Sequence, residues 1–375
     1  MDRKFGLISV DDHVQEHPRV WLDRLSLSKW GDRIPQIDDR GGPERWLIDG
    51  EPVPMRGVAT VGVLSPDHAE DPQHWADVPS AAYVPEQRLR SMDADGVDYS
   101  VLYPTVAGVG GENLGRIRDA ELELACVQAY NDWVVEEWVG ASERFVPQCL
   151  VPLYPIDAAV KELERAVGKG HRGLIYPAIP MELRDVPHIN EPEYDRLWSA
   201  CASLGVPLCF HAGSAVSIQV PPAPDMPPKI AAAFESIARS ASTVSIVVNL
   251  LVSRILLRHP NLRVVFAESS LGWGAYQLEF ADQQAREDGL HLEGYDLTPS
   301  EMFKRQCYLT GWYGRAGILT RDFIGTKNIM WSTNFPLATS TWPETRAQIQ
   351  SSFAGVPAGE QEQILWGNAA QLYKL

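Results

Sequence analysis

Short apolar runs of strand length alternate along the chain with longer stretches whose apolar positions recur at helical spacing. The short runs are LISV (7–10), YSVLYP (99–104), FVPQCLVPL (145–153), GLIYP (173–177), VPLCFH (206–211), LRVVFAE (262–268), QCYLTG (306–311) and NIMWS (328–332). They are rich in the β-branched and aromatic residues that suit a pleated surface. Between them, 119–139, 158–170, 193–205 and 243–260 carry the 3.6-residue period of helices. Gly170, Gly205 and the LRHPN turn at 257–261 stop helices just ahead of the fourth, fifth and sixth strands. Strands apolar on both faces and separated by helices pair in parallel through right-handed crossovers. Eight of them predict an α/β fold closed into a (β/α)₈ TIM barrel.

Two stretches break this repeat. Residues 30–85 are rich in Pro, Gly, Asp and Trp and read as a long insertion after strand one, a hairpin or a lid. Residues 215–230, AVSIQVPPAPDMPPKI, read as a proline-rich lid or subunit contact after strand five. The chain has no internal repeat, low-complexity tract or charge block, so a single domain over 1–375 is expected.

Composition narrows the chemistry. A formal charge of −16 and a pI near 5.0 disfavour nucleic acid, whose phosphates require clustered Lys and Arg. The N-terminus lacks an export-signal pattern, and no run approaches about 18 uncharged apolar residues; a cytoplasmic protein without a membrane partner is expected. Five cysteines (126, 149, 201, 209 and 307), an odd number with no CxxC pair, read as reduced core thiols.

In a closed barrel the C-terminal ends of the strands share one mouth, where functional side chains gather. Strand one ends in Asp11-Asp12-His13-Val14-Gln15-Glu16, and alternation puts Asp11 and His13 on one side. Strand five ends in His211, strand six in Glu268, and strand eight runs into Asn334. Asp11, His13, His211 and Glu268 are the candidate metal ligands; N and O donors from separate strands suit Zn, Fe or Mn better than Ca or Mg. Any one of these histidines alone reads as well as a hydrogen-bonded structural residue; their coincidence across strands favours the ion. Glu268 also suits a hydrogen-bond acceptor behind the ligands or a catalytic proton carrier. Glu16 is a catalytic candidate or a solvated loop carboxylate. Asn334 and His188 are candidates for supporting the ligands or a second ion. His17, His68, His74, His171, His259 and His291 read as loop or surface residues. Tyr103, Trp273, Trp331 and Phe335 are candidates for an apolar substrate pocket or plain packing. No organic cofactor is expected.

These residues sit in a wider set of motifs: ISVDDHVQE (8–16), MDADGVDYSVLYPT (92–105), AYNDWVVEEW (129–138), PLCFHAGS (207–214), FAESSLGWGAYQLEFAD (266–282), WSTNFPLATSTWP (331–343) and GNAAQLY (367–373). Together they resemble the amidohydrolase-related family of metal-dependent barrels. That family includes aromatic-acid decarboxylases, hydrolases and a branch of non-haem di-metal monooxygenases. The DDHxxE opening and a Glu at 268 resemble the monooxygenase branch, because the decarboxylases usually carry a proton-handling His at that position. The family motif after strand eight usually reads Ser or Thr-Asp-x-Pro followed by His; here the Asp is Asn334 and the His is Leu337. An amide cannot act as a general base. The resemblance therefore implies a subunit of a metal-dependent monooxygenase system with a reduced, single-metal site. The alternatives are a decarboxylase or hydrolase of a small carboxylate or aromatic substrate, and a catalytically degenerate partner of an intact paralogous barrel. Homo- or hetero-oligomers are expected, most simply a dimer.

Overall fold

A computed structural model of the chain describes residues 6–64, 71–214, 223 and 225–375. Among these described residues the strands are β1 (Ile8–His13), β2 (Gln36–Asp38), β3 (Arg45–Ile48), β4 (Glu51–Pro52), β5 (Tyr99–Tyr103), β6 (Phe145–Pro147), β7 (Leu174–Ile175), β8 (Leu208–His211), β9 (Val264–Ala267), β10 (Cys307–Gly311) and β11 (Ile329–Trp331). The eight apolar runs correspond to β1 and β5 through β11. Parallel ladders join β1-β5-β6 and β7-β8-β9-β10-β11. A parallel bridge between Cys149 and Leu174 connects β6 to β7. The ring closes where the His13 N–H donates to the Phe335 carbonyl (2.7 Å) and the Asn334 N–H to the Asp11 carbonyl (3.0 Å). The barrel is thus closed by the segment that follows β11, and Asn334 is stitched to Asp11 through the backbone.

The core is continuous through the barrel and its surrounding helices, and all five cysteines are buried and unpaired. The helix Ala120–Trp133 starts where the Asp119 carboxylate accepts from the Glu121 and Leu122 N–H groups, and it continues as a π-turn over Val134–Val139. The helix Asp195–Leu204 ends at Gly205, whose φ of 63° no β-carbon opposes.

One helix differs from its expected extent. The periodicity at 243–260 belongs to a longer helix, Pro228–Val252, followed by a short one, Ile255–Arg258. The break falls at Arg254, which adopts a left-handed φ of 67°; no Gly or Pro marks it, so the apolar period runs on through it. Within the long helix, Ala233–Val252 is long and apolar enough to cross a membrane by length and composition. Glu235 and Arg239 lie inside that stretch, and Thr243, Ile246, Val247, Leu250 and Leu251 near its end are buried in this fold. Most of the proline-rich connection, 215–222 and 224, lies outside the described residues, as does His68.

The 30–85 insertion holds an antiparallel sheet, β2-β3-β4. Asp49 and Gly50, both with positive φ, make its tight turn between β3 and β4, the conformation that a two-residue hairpin requires. Trp46 anchors the sheet, buried with its Nε1–H donating to the Val58 carbonyl. The insertion then crosses the mouth: Thr60 N–H donates to Gln15 Oε1, and Val63 N–H to the Pro336 carbonyl. It therefore covers the exits of β1 and β11, beside Asp11 and His13.

Candidate metal centre

The end of β1 is not a regular strand. Ser9 pairs with Ser100, yet Asp12 pairs with Leu102, so three steps on β1 face two on β5. A bulge of this kind re-aims side chains. Ser9 and Asp12, three apart, come to share the outer face, where the Ser9 hydroxyl donates to Asp12 Oδ1 at 2.8 Å. Ser100, Thr333 and the Phe335 N–H also donate to this carboxylate. Burial raises the Asp12 pKa to about 6 against the pull of Arg88 and these hydroxyls.

Asp11 and His13 face the barrel axis and meet His211 from β8. Asp11 Oδ1 lies 3.5 Å from His13 Nε2 and 3.4 Å from His211 Nε2, and one ligand atom from each residue falls within 4.8 Å of the others. All three residues are buried. His211 Nδ1 is 2.7 Å from the Ala212 carbonyl, and His13 Nδ1 is 3.5 Å from that of Pro104. Each imidazole thus turns one nitrogen to a backbone acceptor and the other to the cluster, the arrangement by which outer partners orient metal-binding histidines.

Both Asp11 oxygens and the Nε2 atoms of His13 and His211 are buried without a hydrogen-bond partner. Leaving polar atoms in that state is costly, and one divalent cation would satisfy all of them. The donor set, two imidazoles and a carboxylate, fits such an ion. The electrostatics agree. Burial would raise the Asp11 pKa, but the charges of His211 and His13 outweigh it and hold the carboxylate ionised. Burial lowers His13 to about 4; His211, although burial opposes it, is pushed up to about 9 by Asp11 and Glu268.

Glu268 stands elsewhere. Its Oε2 is 3.8 Å from His211 Nδ1, on the edge of the ring opposite the cluster, and its Oε1 accepts from Asn334 Nδ2 at 3.3 Å. Asn334 also donates to Thr339 Oγ1 at 2.8 Å, and its own Oδ1 has no partner. Both Glu268 and Asn334 adopt left-handed backbone, with φ of 51° and 57°. Asn tolerates that region; for Glu it is a strained conformation, of the kind that surrounding structure maintains at functional sites. The structure therefore gathers Asp11, His13 and His211 and sets Glu268 beside them with Asn334.

The remaining expected site residues separate by location. Glu16 is a buried brace: its carboxylate accepts from the N–H groups of Thr105, Val106 and Ala107, and burial raises its pKa to about 7. It is neither solvated nor turned to the cluster, because those bonds spend it on the loop after β5. His188 is exposed, its Nδ1 accepting from the Asn190 N–H. Tyr103 lies with its ring centroid 5.2 Å from that of His211. Trp331 packs outward on Phe353, Phe335 on Trp342 and Arg88, and Trp273 donates to the Ser269 carbonyl at the start of its helix. Of the four aromatic pocket candidates only Tyr103 touches the cluster: on the strands, alternation sends Tyr103 to the axis and Trp331 to the helix layer, while Trp273 and Phe335 lie off the strands. His171, expected at the surface, is buried and bonded to the Asn131 carbonyl.

Two residues escaped the sequence reading. Glu112, after β5, accepts from the Gly110 N–H at 2.8 Å and feels the charge of His211; the glycines at 108, 110 and 111 were the available signal. Arg88, in the segment EQRLRS, has no motif that marks it out from Arg90 beside it.

Residues 58–375 match the amidohydrolase family. The chain belongs to that family. Two γ-resorcylate decarboxylases are similar to it: one from Rhizobium radiobacter, 27% identical over 34% of this chain and 38% of that enzyme, and one from Rhizobium sp. (strain MTP-10005), 22% identical over 78% and 88%. An amidohydrolase from Mycobacterium avium subsp. paratuberculosis K-10 shares the fold at a TM-score of 0.77, with 19% identity over 99% of both chains. A dihydroxybenzoic acid decarboxylase from Polaromonas sp. JS666, with bound manganese and 2-nitroresorcinol, shares it at 0.66, with 18% identity over 99% of this chain and 98% of that one. Family membership and barrel fold are as the sequence implies. The enzymes just named with a reaction are decarboxylases, which turns the functional reading toward the alternative.

Proposed function

We propose that this amidohydrolase-family barrel is a metal-dependent decarboxylase of a small aromatic carboxylate. The observation that carries the reading is the set of four buried, unpartnered ligand atoms on Asp11, His13 and His211; the similarity to γ-resorcylate decarboxylase supports the reaction class. Manganese is the ion suggested by the Polaromonas enzyme. A divalent cation there would act as a Lewis acid toward a substrate carboxylate or phenolate.

The side chains supply the rest. Asp11, His13 and His211 hold the cation, and the backbone acceptors behind the two imidazoles fix their rings. Glu268 is the proton carrier: entering the step as the carboxylic acid, it gives its proton to the ring carbon that bears the substrate carboxylate; the bond to that carboxylate breaks, its electron pair returns to the ring, CO₂ leaves, and Glu268, left as the carboxylate, takes a proton from solvent between turnovers. Asn334 cannot carry that proton; its amide instead donates to the Glu268 side chain and holds it. The insertion over the exits of β1 and β11 keeps water from the site.

The test is incubation of the manganese-loaded protein with 2,6-dihydroxybenzoate and related hydroxybenzoates under anaerobic conditions, with CO₂ and the phenolic product measured. CO₂ release without oxygen is expected, abolished by Asp11→Asn and strongly reduced by Glu268→Gln. Product that forms only with O₂ would restore the oxygenase reading. The Asn334 and Leu337 departures favour one further reading, a partner subunit; no turnover alone with turnover on adding a paralogous barrel would support it.

A further inference from the structure

Behind the end of β1, outside the strand ring, the helix Pro85–Asp95 buries an arginine. Arg88 is 1% exposed, and its Nη2 donates to the His13 carbonyl at 2.7 Å while Nε donates to the Ala81 carbonyl at 2.9 Å. Its guanidinium lies over the Phe335 ring at 4.4 Å. Phe335 is the residue whose carbonyl accepts from the His13 N–H and whose own N–H donates to Asp12. Both backbone polar groups of His13 are therefore held, one by the strand-eight exit and the other by Arg88.

One donor of this arginine is unused. Arg88 Nη1 is buried without a partner, as is Asp95 Oδ2, and both residues line a cavity of about 10 Å³ together with Asp12, Ser91 and Thr333. A cavity of that size with two or more polar partners is what a single buried water requires. The other Asp95 oxygen accepts from the Thr345 N–H, which anchors it to the C-terminal part of the chain.

We propose that Arg88 is a positioning residue for the metal site: it fixes the His13 backbone, and a buried water bridging Arg88 Nη1 to Asp95 Oδ2 fixes Arg88. The proposal rests on the reading of Asp11, His13 and His211 as metal ligands. A guanidinium suits the task because its fork serves two carbonyls, an aromatic face and a water at once; an ammonium cannot reproduce that plane. Loss of the fork leaves the His13 carbonyl buried and unpaired, so the imidazole it carries loses its fixed orientation.

Manganese titration of the metal-free wild type, Arg88→Lys and Arg88→Met, with the electron paramagnetic resonance spectrum of bound Mn²⁺, tests this. Arg88→Met is expected to weaken binding about 10- to 100-fold, the loss typical of residues that support ligands, and to broaden the spectrum. Arg88→Lys is expected to fall between, folded as shown by an unchanged circular dichroism spectrum. A crystal structure of the wild type should show a water within hydrogen-bond distance of Arg88 Nη1 and Asp95 Oδ2. Wild-type affinity and spectrum in Arg88→Met, or in Arg88→Lys should Arg88→Met not fold, would overturn the proposal while leaving the metal reading intact. An empty cavity in that crystal structure would remove the water bridge. A wild type that binds no Mn²⁺ would overturn the metal reading and the role of Arg88 with it.

Discussion

His171 takes no part in the site, and its titration isolates what burial does to a single group in this fold. Its Nε2 bonds to the Asn131 carbonyl at 3.0 Å, and burial depresses its pKa from 6.5 to about 4. Between those values the unfolded chain binds a proton that the folded chain refuses, so stability falls as pH drops through that window. Across the full shift the loss is on the order of 3 kcal/mol. Glu16 and Glu123, each raised to about 7 by burial, act in the opposite sense: stability falls as pH rises from about 4.5 toward 7. The contribution of His171 therefore emerges in a difference. Urea denaturation from pH 4 to 7 should show His171→Gln, whose amide can still donate to Asn131, losing less stability on acidification than the wild type. The sequence placed His171 at the surface because the segment around it, GKGHRG, is polar; its burial follows from how that turn folds back on the helix Ala120–Trp133.

Between elements, close approach is concentrated where loops converge on the mouth. A β-carbon at Gly110 would lie 2.0 Å from Ser214 Oγ and 2.5 Å from Ser214 Cβ, so the loops after β5 and β8 meet with no room for a methyl group. Gly110→Ala must push these loops apart beside His211. A cost of about 1–3 kcal/mol is expected from the overpacking, measurable by denaturant titration, with a decline in turnover larger than that stability loss explains. Gly62→Ala strikes Ala338 at 2.6 Å and should lift the insertion from the strand-eight exit; hydrogen exchange in 58–64 should rise relative to the wild type. Neither clash is legible in the sequence, where both glycines look like ordinary loop residues. The bulge in β1 and the break at Arg254 share that property: each reverses or interrupts a pattern without a Gly or Pro to mark it, because pairing with a neighbouring element imposes it.

At the scale of the whole molecule, the proposed ion is a ligand of the folded state alone, since its donors come from residues 11, 13 and 211 and meet only after the barrel closes. Saturation at 100 times Kd would stabilise the fold by about 2.7 kcal/mol, seen as a melting temperature a few degrees higher. A chelator should reverse the shift, and Asp11→Asn should abolish it; an unchanged melting temperature with Mn²⁺ would count against the centre. What the sequence determined by itself is the part written in local periodicity and residue type: eight strands in order, their intervening helices, an acidic chain with unpaired thiols, and the Asp, His and Glu residues at strand ends. The tertiary structure alone decided which of these groups meet. Strand ends supply height but not direction, and direction depends on the β1 bulge, on the left-handed turns at Glu268 and Asn334, and on the alternation that sends Tyr103 to the axis and Trp331 to the helix layer. Those choices are made by pairing and packing between segments as far as 324 residues apart, which no local window of sequence contains.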